Sequence, residues 1–227
     1  MNFPRIVSSL VAVVVLSGCA GQKVREQPSA SELRQRACGL GEATQEVKGS
    51  VWMNAKSADS SGQFPAEVMV TPGSLRMEVT NLVGGREALI TVDGARYSIE
   101  REGKVQKGRK SWGGIPLRWA NVLFLGRVPC PELSTRGVDS EKLQLTPEGE
   151  LVIETINQER FIYRFRSWAG APWPEFVRWE SGARSDKALA VEFEFSEPED
   201  KTGAAKIWSA KSAQGEVKVR WKDRETR

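Results

Sequence analysis

The chain has 227 residues, 40% hydrophobic and 27% charged, with a formal net charge of +4 distributed over interleaved basic and acidic side chains. That balance carries no nucleic-acid footprint, and the length suits one globular domain with a real core. Histidine is absent, which removes the commonest general base and metal ligand, and with it Ser-His-Asp and Cys-His catalysis and His-ligated zinc.

At the N-terminus Arg5 precedes an apolar stretch, Ile6 to Leu16, of about eleven residues, the size of a signal-peptide core and short of the ~20 that span a bilayer. Leu16-Ser17-Gly18-Cys19 then has the pattern of a bacterial lipobox. Its small residues admit a peptidase to the bond before Cys19, whose thiol would carry a diacylglyceryl group and whose freed amine a further acyl chain. Stable anchoring takes two or more chains. A plain secretory signal with a chance cysteine is the alternative reading. Ala20 and Gly21 follow, where an Asp would mark inner-membrane retention. The expected location is therefore the periplasmic face of the outer membrane, with the cell surface as alternative. On this reading residues 1–18 are a lipoprotein signal peptide, 19–30 the lipidated terminus and a polar tether, and 31–227 a single domain.

Leu33, Ala37 and Leu40 at helical spacing predict an amphipathic helix over 31–40, capped by Ser31 and stopped by Gly39 and Gly41. It is expected to pack across one opening of a sheet. Short alternating strands follow: one through Val47, Val51 and Met53, one over 66–70, one through Leu75, Met77 and Val79, then 88–92 and 96–100, joined by turns such as Thr71-Pro72-Gly73 and Asp93-Gly94. Between two of them stands Asn81-Leu82-Val83-Gly84-Gly85. Leu82 and Val83 occupy a place where hairpins carry polar residues, so they are expected either to form an exposed apolar tip that meets a membrane or to tuck into the core.

Alternation stops at Gly108. Pro116 opens a run with Leu117, Trp119, Ala120, Val122, Leu123, Phe124 and Leu125, closed by Gly126, Pro129 and Pro131. A helix apolar nearly all round is buried on most sides. It is predicted to be a plug or lid, with Leu117, Ala120, Leu123 and Phe124 on the concave side of the sheet touching Trp179, Phe193 or Phe195; an ordinary core helix is the alternative. Further strands are read at 151–156, 161–165, 176–179, 189–195 and 217–221, giving about ten or eleven, and a sheet of that size curls or closes. The expected fold is mainly β with some helix, an open, curved antiparallel half-barrel with a helical plug and an N-terminal helix. Cys38 and Cys130, left over in an exported chain, read as one disulfide, with two free buried thiols as alternative.

No CxxC, GxSxG or phosphate-cradling loop is present. Glu192, Glu194, Glu197, Glu199 and Asp200 sit on the polar face of a strand and in its exit loop, which favours a solvated acidic edge over the alternative of a glycosidase pair or a calcium site. No catalytic residue, metal or cofactor is indicated, and the chain reads as a non-enzyme. Eight tryptophans, with Phe161, Phe165, Phe193 and Phe195, either fill a core or line a cavity for acyl chains.

Over about residues 44 to 195 three segments resemble the LolB family of outer-membrane lipoprotein receptors, within the wider LolA/LolB-like superfamily. Leu75-Arg76-Met77-Glu78-Val79-Thr80-Asn81-Leu82-Val83-Gly84 is similar to the family's strand and Thr-Asn-Pro-Leu-Gly loop. Gly114-Ile115-Pro116-Leu117 through Leu125-Gly126-Arg127-Val128-Pro129 is similar to its Gly-x-x-Pro, helix, Leu-Gly-x-Pro segment, and Pro174-Glu175-Phe176-Val177 to its Pro-x-x-Ile-x-Leu stretch. Val83 takes the place of the family's loop leucine, and Leu82 that of the preceding proline. The cysteine pair and the chain after Phe195 fall outside the family pattern. The resemblance implies a helix-closed open barrel and an acceptor that inserts acylated lipoproteins into the outer membrane, with lipoproteins or lipids as cargo and a soluble periplasmic LolA-like carrier as donor. A structural or assembly lipoprotein of the same fold is the alternative.

Overall fold

A computed structural model describes residues 28–40, 42–57, 61–81, 83–109, 111–131, 141–182, 189–196, 198 and 203–227. Cys19 and Leu82 lie outside them. The chain runs α1 (Ala30–Gly39), β1 (Val47–Ser57), β2 (Ser61–Val70), β3 (Ser74–Thr80), β4 (Arg86–Asp93), β5 (Arg96–Arg101) and β6 (Lys104–Arg109). After a two-stranded hairpin, β7 (Ser111–Trp112) and β8 (Ile115–Pro116), comes α2 (Arg118–Phe124). Then follow β9 (Glu141–Leu145), β10 (Leu151–Thr155), β11 (Arg160–Trp168), β12 (Ala171–Glu180), β13 (Ala190–Phe195), β14 (Ile207–Ser212), β15 (Gly215–Trp221) and β16 (Glu225–Thr226).

Fourteen strands form one open, curved antiparallel sheet in the order β6-β5-β4-β3-β2-β1-β15-β14-β13-β12-β11-β10-β9, with β16 added beside the start of β1. Two meanders thus meet at β1 and β15, where Val51 faces Trp221 and Ala55 faces Val217. The stretch between β6 and β9, the sheet's two edges, carries α2. Its neighbours show where it lies: Trp119 and Phe124 pack on side chains of β11 to β15, and the same helix faces Met77 and Ile90 of β3 and β4 across a cavity.

The expected ten or eleven strands fall short of the sixteen among the described residues. The omissions have a common physical cause. β6 (KVQKGR) and β9 (EKLQL) are the sheet edges, and edges are kept charged and polar so that they do not recruit another chain. That erases the alternation by which a strand is recognised. β14 was hidden by its small and polar residues, with only Trp208 and Ala210 fully inward.

Three boundaries also shift. α1 is capped by Ser29, not Ser31: its hydroxyl accepts from the Glu32 N–H, and the Glu32 carboxylate accepts from the Ser29 N–H at 2.7 Å, a reciprocal box that Ser31 has no Glu or Gln three residues on to make. Pro116 pairs with Ser111 in the small hairpin, and α2 begins two residues later. β12 starts at Ala171 and includes Pro172 and Pro174, which lie beyond the end of the β13 pairing and beside an irregularity opposite Arg164 and Phe165, where a missing N–H is tolerated. α2 ends as expected at Gly126, whose φ is 77°. The Gly126 N–H donates to Leu123 and the Arg127 N–H to Val122, both at 3.0 Å, the double closure of a Schellman turn. A Cβ there would meet Ala204 at 2.6 Å and the Arg224 guanidinium.

Candidate functional site

The concave surface is treated differently on either side of α2. Towards β10–β13 it is filled. Trp119 inserts edge-on among Phe161, Trp179 and Phe193, with centroids at 6.0, 6.0 and 6.1 Å. Phe124 meets Trp208 at 5.0 Å and Trp221 at 6.0 Å. Edge-to-face pairs of this kind add about 0.5–1.5 kcal/mol each beyond their burial. The Arg118 guanidinium stacks over Trp119 at 4.4 Å and pairs with Glu159, which also accepts from Trp179 Nε1 at 3.2 Å. Phe195 packs on Trp173 at 6.4 Å.

α1 covers this half. Leu33 and Ala37 are buried, and Arg34 Nε and Nη2 donate to both Glu141 carboxylate oxygens at 2.6 and 3.0 Å. That hydrogen bond holds the Arg34 pKa above its ordinary value. Cys38 and Cys130 are bonded, with Cα atoms 5.7 Å apart, tying α1 to the exit of α2. Beneath them Tyr163 is fully buried and its hydroxyl donates to the Pro129 carbonyl at 2.8 Å. Burial first, and then the nearby Glu141 charge, push its pKa well above the usual value.

Towards β1–β6 the concave surface is not filled. An open cavity of about 950 Å³ lies between the inward residues of these strands, among them Met53, Phe64, Met77, Ile90 and Ile99, and the near face of α2, and Trp208, Ala210 and Val217 of β14 and β15 also line it. Leu117, Ala120, Leu123 and Phe124, the four residues expected on the concave side, all line it. Trp179, Phe193 and Phe195 do not: they belong to the filled half, and the side chain of α2 that reaches Trp179 and Phe193 is Trp119. The expectation placed both groups together because both are apolar. The pitch of α2 accounts for this, since Trp119 stands about 100° round the helix from Ala120 and about 140° from Phe124, with Leu123, one turn on, between the two sides. Most of the cavity wall escaped notice in the sequence. A usable signal existed in the inward positions of β1–β5, which are mostly aliphatic apart from Phe64 and Tyr97, while aromatic side chains are frequent among those of β10–β15.

The cavity wall changes character along the strands. Leu75, Val92 and Tyr97 line it at one end. At the other stand Ser57, Ser61, Glu87, Arg101, Glu102 and Lys104. Beyond that second end is the β3–β4 loop. Asn81 Oδ1 accepts from the Val83 and Gly85 N–H groups at 3.1 and 2.7 Å, and the Asn81 N–H donates to the Gly85 carbonyl at 2.8 Å. Gly84 takes a φ of 88° to close the turn. This braced loop holds Val83 91% exposed. Because every neighbouring pair in the sheet is antiparallel, the β10–β11 turn with Ile156, 66% exposed, opens at the same end, and Met69, 42% exposed, at the other. α1 also enters from the Val83 end: Arg34 pairs with Glu141, the first residue of β9, and the chain then descends to begin β1 at the far end. Among the described residues no group of three or more Cys, Asp and Glu side chains could hold a metal ion.

No family model matches the sequence, and no curated protein matches it. Among solved structures, the chain is similar to a LolA-superfamily protein from Nitrosomonas europaea, with 12% identity over 88% of this chain and 94% of that one and a TM-score of 0.51. An outer membrane lipoprotein-sorting protein domain from Vibrio parahaemolyticus follows at 11% identity, the same coverages and a TM-score of 0.48. The lipoprotein LppX of Mycobacterium tuberculosis gives 14% identity over 85% and 92% with a TM-score of 0.36. At such identities the likeness to the first is one of fold: a mainly β, open curved sheet of the LolA type.

Proposed function

We propose that this protein is a lipid-anchored, LolB-like acceptor that takes acyl chains into the cavity beneath α2 and delivers acylated lipoproteins or lipids to the outer membrane. It is not an enzyme on this reading, and no step requires a cofactor. The observation that carries the proposal is the asymmetry of the concave surface, with one half packed solid and the other left as an apolar hollow of about 950 Å³, at the upper end of the roughly 300–1,000 Å³ usual for ligand sites. Cys19 supplies the anchor, and a soluble carrier with a similar hollow is the natural donor. Leu82 and Val83 form the membrane-contacting tip. An aliphatic side chain left in water forgoes about 1.5–3 kcal/mol relative to burial, so a braced loop that holds Val83 out fits a role in contact.

The test is Leu82→Glu with Val83→Glu in the full chain, assayed for thermal stability and for delivery of a fluorescent acylated peptide into liposomes. Unchanged stability with lost delivery is expected. A stable double mutant with undiminished delivery would remove the loop from the mechanism, and a collapse in stability would put these residues in the core.

A further inference from the structure

Resting on the acyl-binding reading, the geometry points to a ligand with two acyl chains and a zwitterionic head, a diacyl phospholipid of the phosphoethanolamine type, seated with its head at the β4–β5–β6 end of the cavity. Capacity is the first observation. A methylene takes about 30 Å³, much as a water molecule does in the liquid, so about 950 Å³ holds roughly thirty of them. That is of the order of two saturated chains of about sixteen carbons. The second observation is the chemistry of the rim. Arg101 and Lys104 are cross-strand partners at the β5–β6 turn, and Glu102 sits in that turn. Glu87 lies two residues before Leu89, the partner of Glu100, at the same end of the sheet. All four residues line the cavity, and none has an ion-pair partner among the described residues.

Two cations and two carboxylates, close together and not spent on ion pairs with other described residues, match a head that carries both signs. The guanidinium and ammonium groups take a phosphate diester, and the carboxylates take an ammonium two carbons further out. A neutral head would leave all four groups unmet. A purely anionic head would satisfy the cations and face repulsion from Glu87 and Glu102. The apolar floor accepts any chain, so it is the rim that selects.

The experiment uses the full chain purified in mild detergent, incubated with an equimolar mixture of dipalmitoyl phosphatidylethanolamine, dipalmitoyl phosphatidylglycerol, dipalmitoylglycerol and tripalmitoylglycerol, and weighed by native mass spectrometry. One phosphatidylethanolamine per chain is expected, favoured severalfold over the others. Arg101→Ala with Lys104→Ala should lower its retention about tenfold, close to that of dipalmitoylglycerol, and Glu87→Gln with Glu102→Gln should erase the preference over phosphatidylglycerol. Equal retention of all two-chain lipids, or a preference for phosphatidylglycerol, would overturn the head assignment. Retention of tripalmitoylglycerol, or of more than one lipid, would overturn the capacity. Binding of no lipid at all would take down the acyl-binding reading together with this one, whereas a wrong head or chain number leaves that reading intact.

Discussion

The two halves of the sheet are built alike and filled differently. β1–β6 and β9–β15 are both antiparallel meanders with one concave and one solvated face. In the second, Trp119, Phe161, Tyr163, Trp179 and Phe193 are all buried and pack on one another. In the first, a hollow remains between the inward side chains and α2. Filling an interior to native density stabilises, and leaving it open forgoes dispersion contacts. The lesson is a division of labour: one half supplies the stability that lets the other stay vacant. α2 is the partition, with Trp119 on the packed side and Leu117, Ala120 and Leu123 on the open one.

That division is broken most directly at its hub. Trp119→Ala should cost about 3–5 kcal/mol in chemical denaturation, as a buried aromatic truncation does. Ile90→Ala, across the partition in a wall already open, should cost less than about 2 kcal/mol. Equal costs would show that the two halves are not different in kind. Reducing the Cys38–Cys130 bond, which closes a loop of 92 residues, should lower stability by on the order of 4 kcal/mol on the chain-entropy account, and should loosen hydrogen exchange in α1 more than in β3 and β4.

The buried hydroxyl in the filled half gives a pH signature. Its pKa is raised in the folded protein, so the folded chain keeps a proton that the unfolded chain releases near pH 10. The associated stability is fully present below that value and falls as pH rises beyond it. Tyr163→Phe should cost about 1 kcal/mol at neutral pH through the lost bond to Pro129, and should flatten the alkaline decline by about one proton. An unaltered decline would assign it to other groups. The smallest expected effect on stability is Ala120→Trp. It puts an indole into the hollow, should change stability by less than about 1 kcal/mol, and should reduce lipid uptake more than tenfold. A variant that takes up lipid normally would show that the hollow is not the site.

Much of this could be read from the chain in order. The β-rich fold, the short apolar helix closed at Gly126 and the residues of that helix that face the concave side follow from local rules of period and turn chemistry, whereas for Val83 those rules left an exposed tip and a tuck into the core both open. Even the asymmetry was present, since Trp52 is the only tryptophan before residue 110 and the other seven follow it. What sequence could not show was which apolar residues meet. Trp119 and Ala120 are neighbours in the chain and belong to opposite sides of a partition, because a helix turns by about 100° per residue. The chain after Phe195, which resembled nothing, supplies β14 and β15, the strands that join the two meanders. Periodicity speaks for one segment at a time. Whether a concave surface is filled depends on volumes brought together from strands more than a hundred residues apart, and only the tertiary structure decides that.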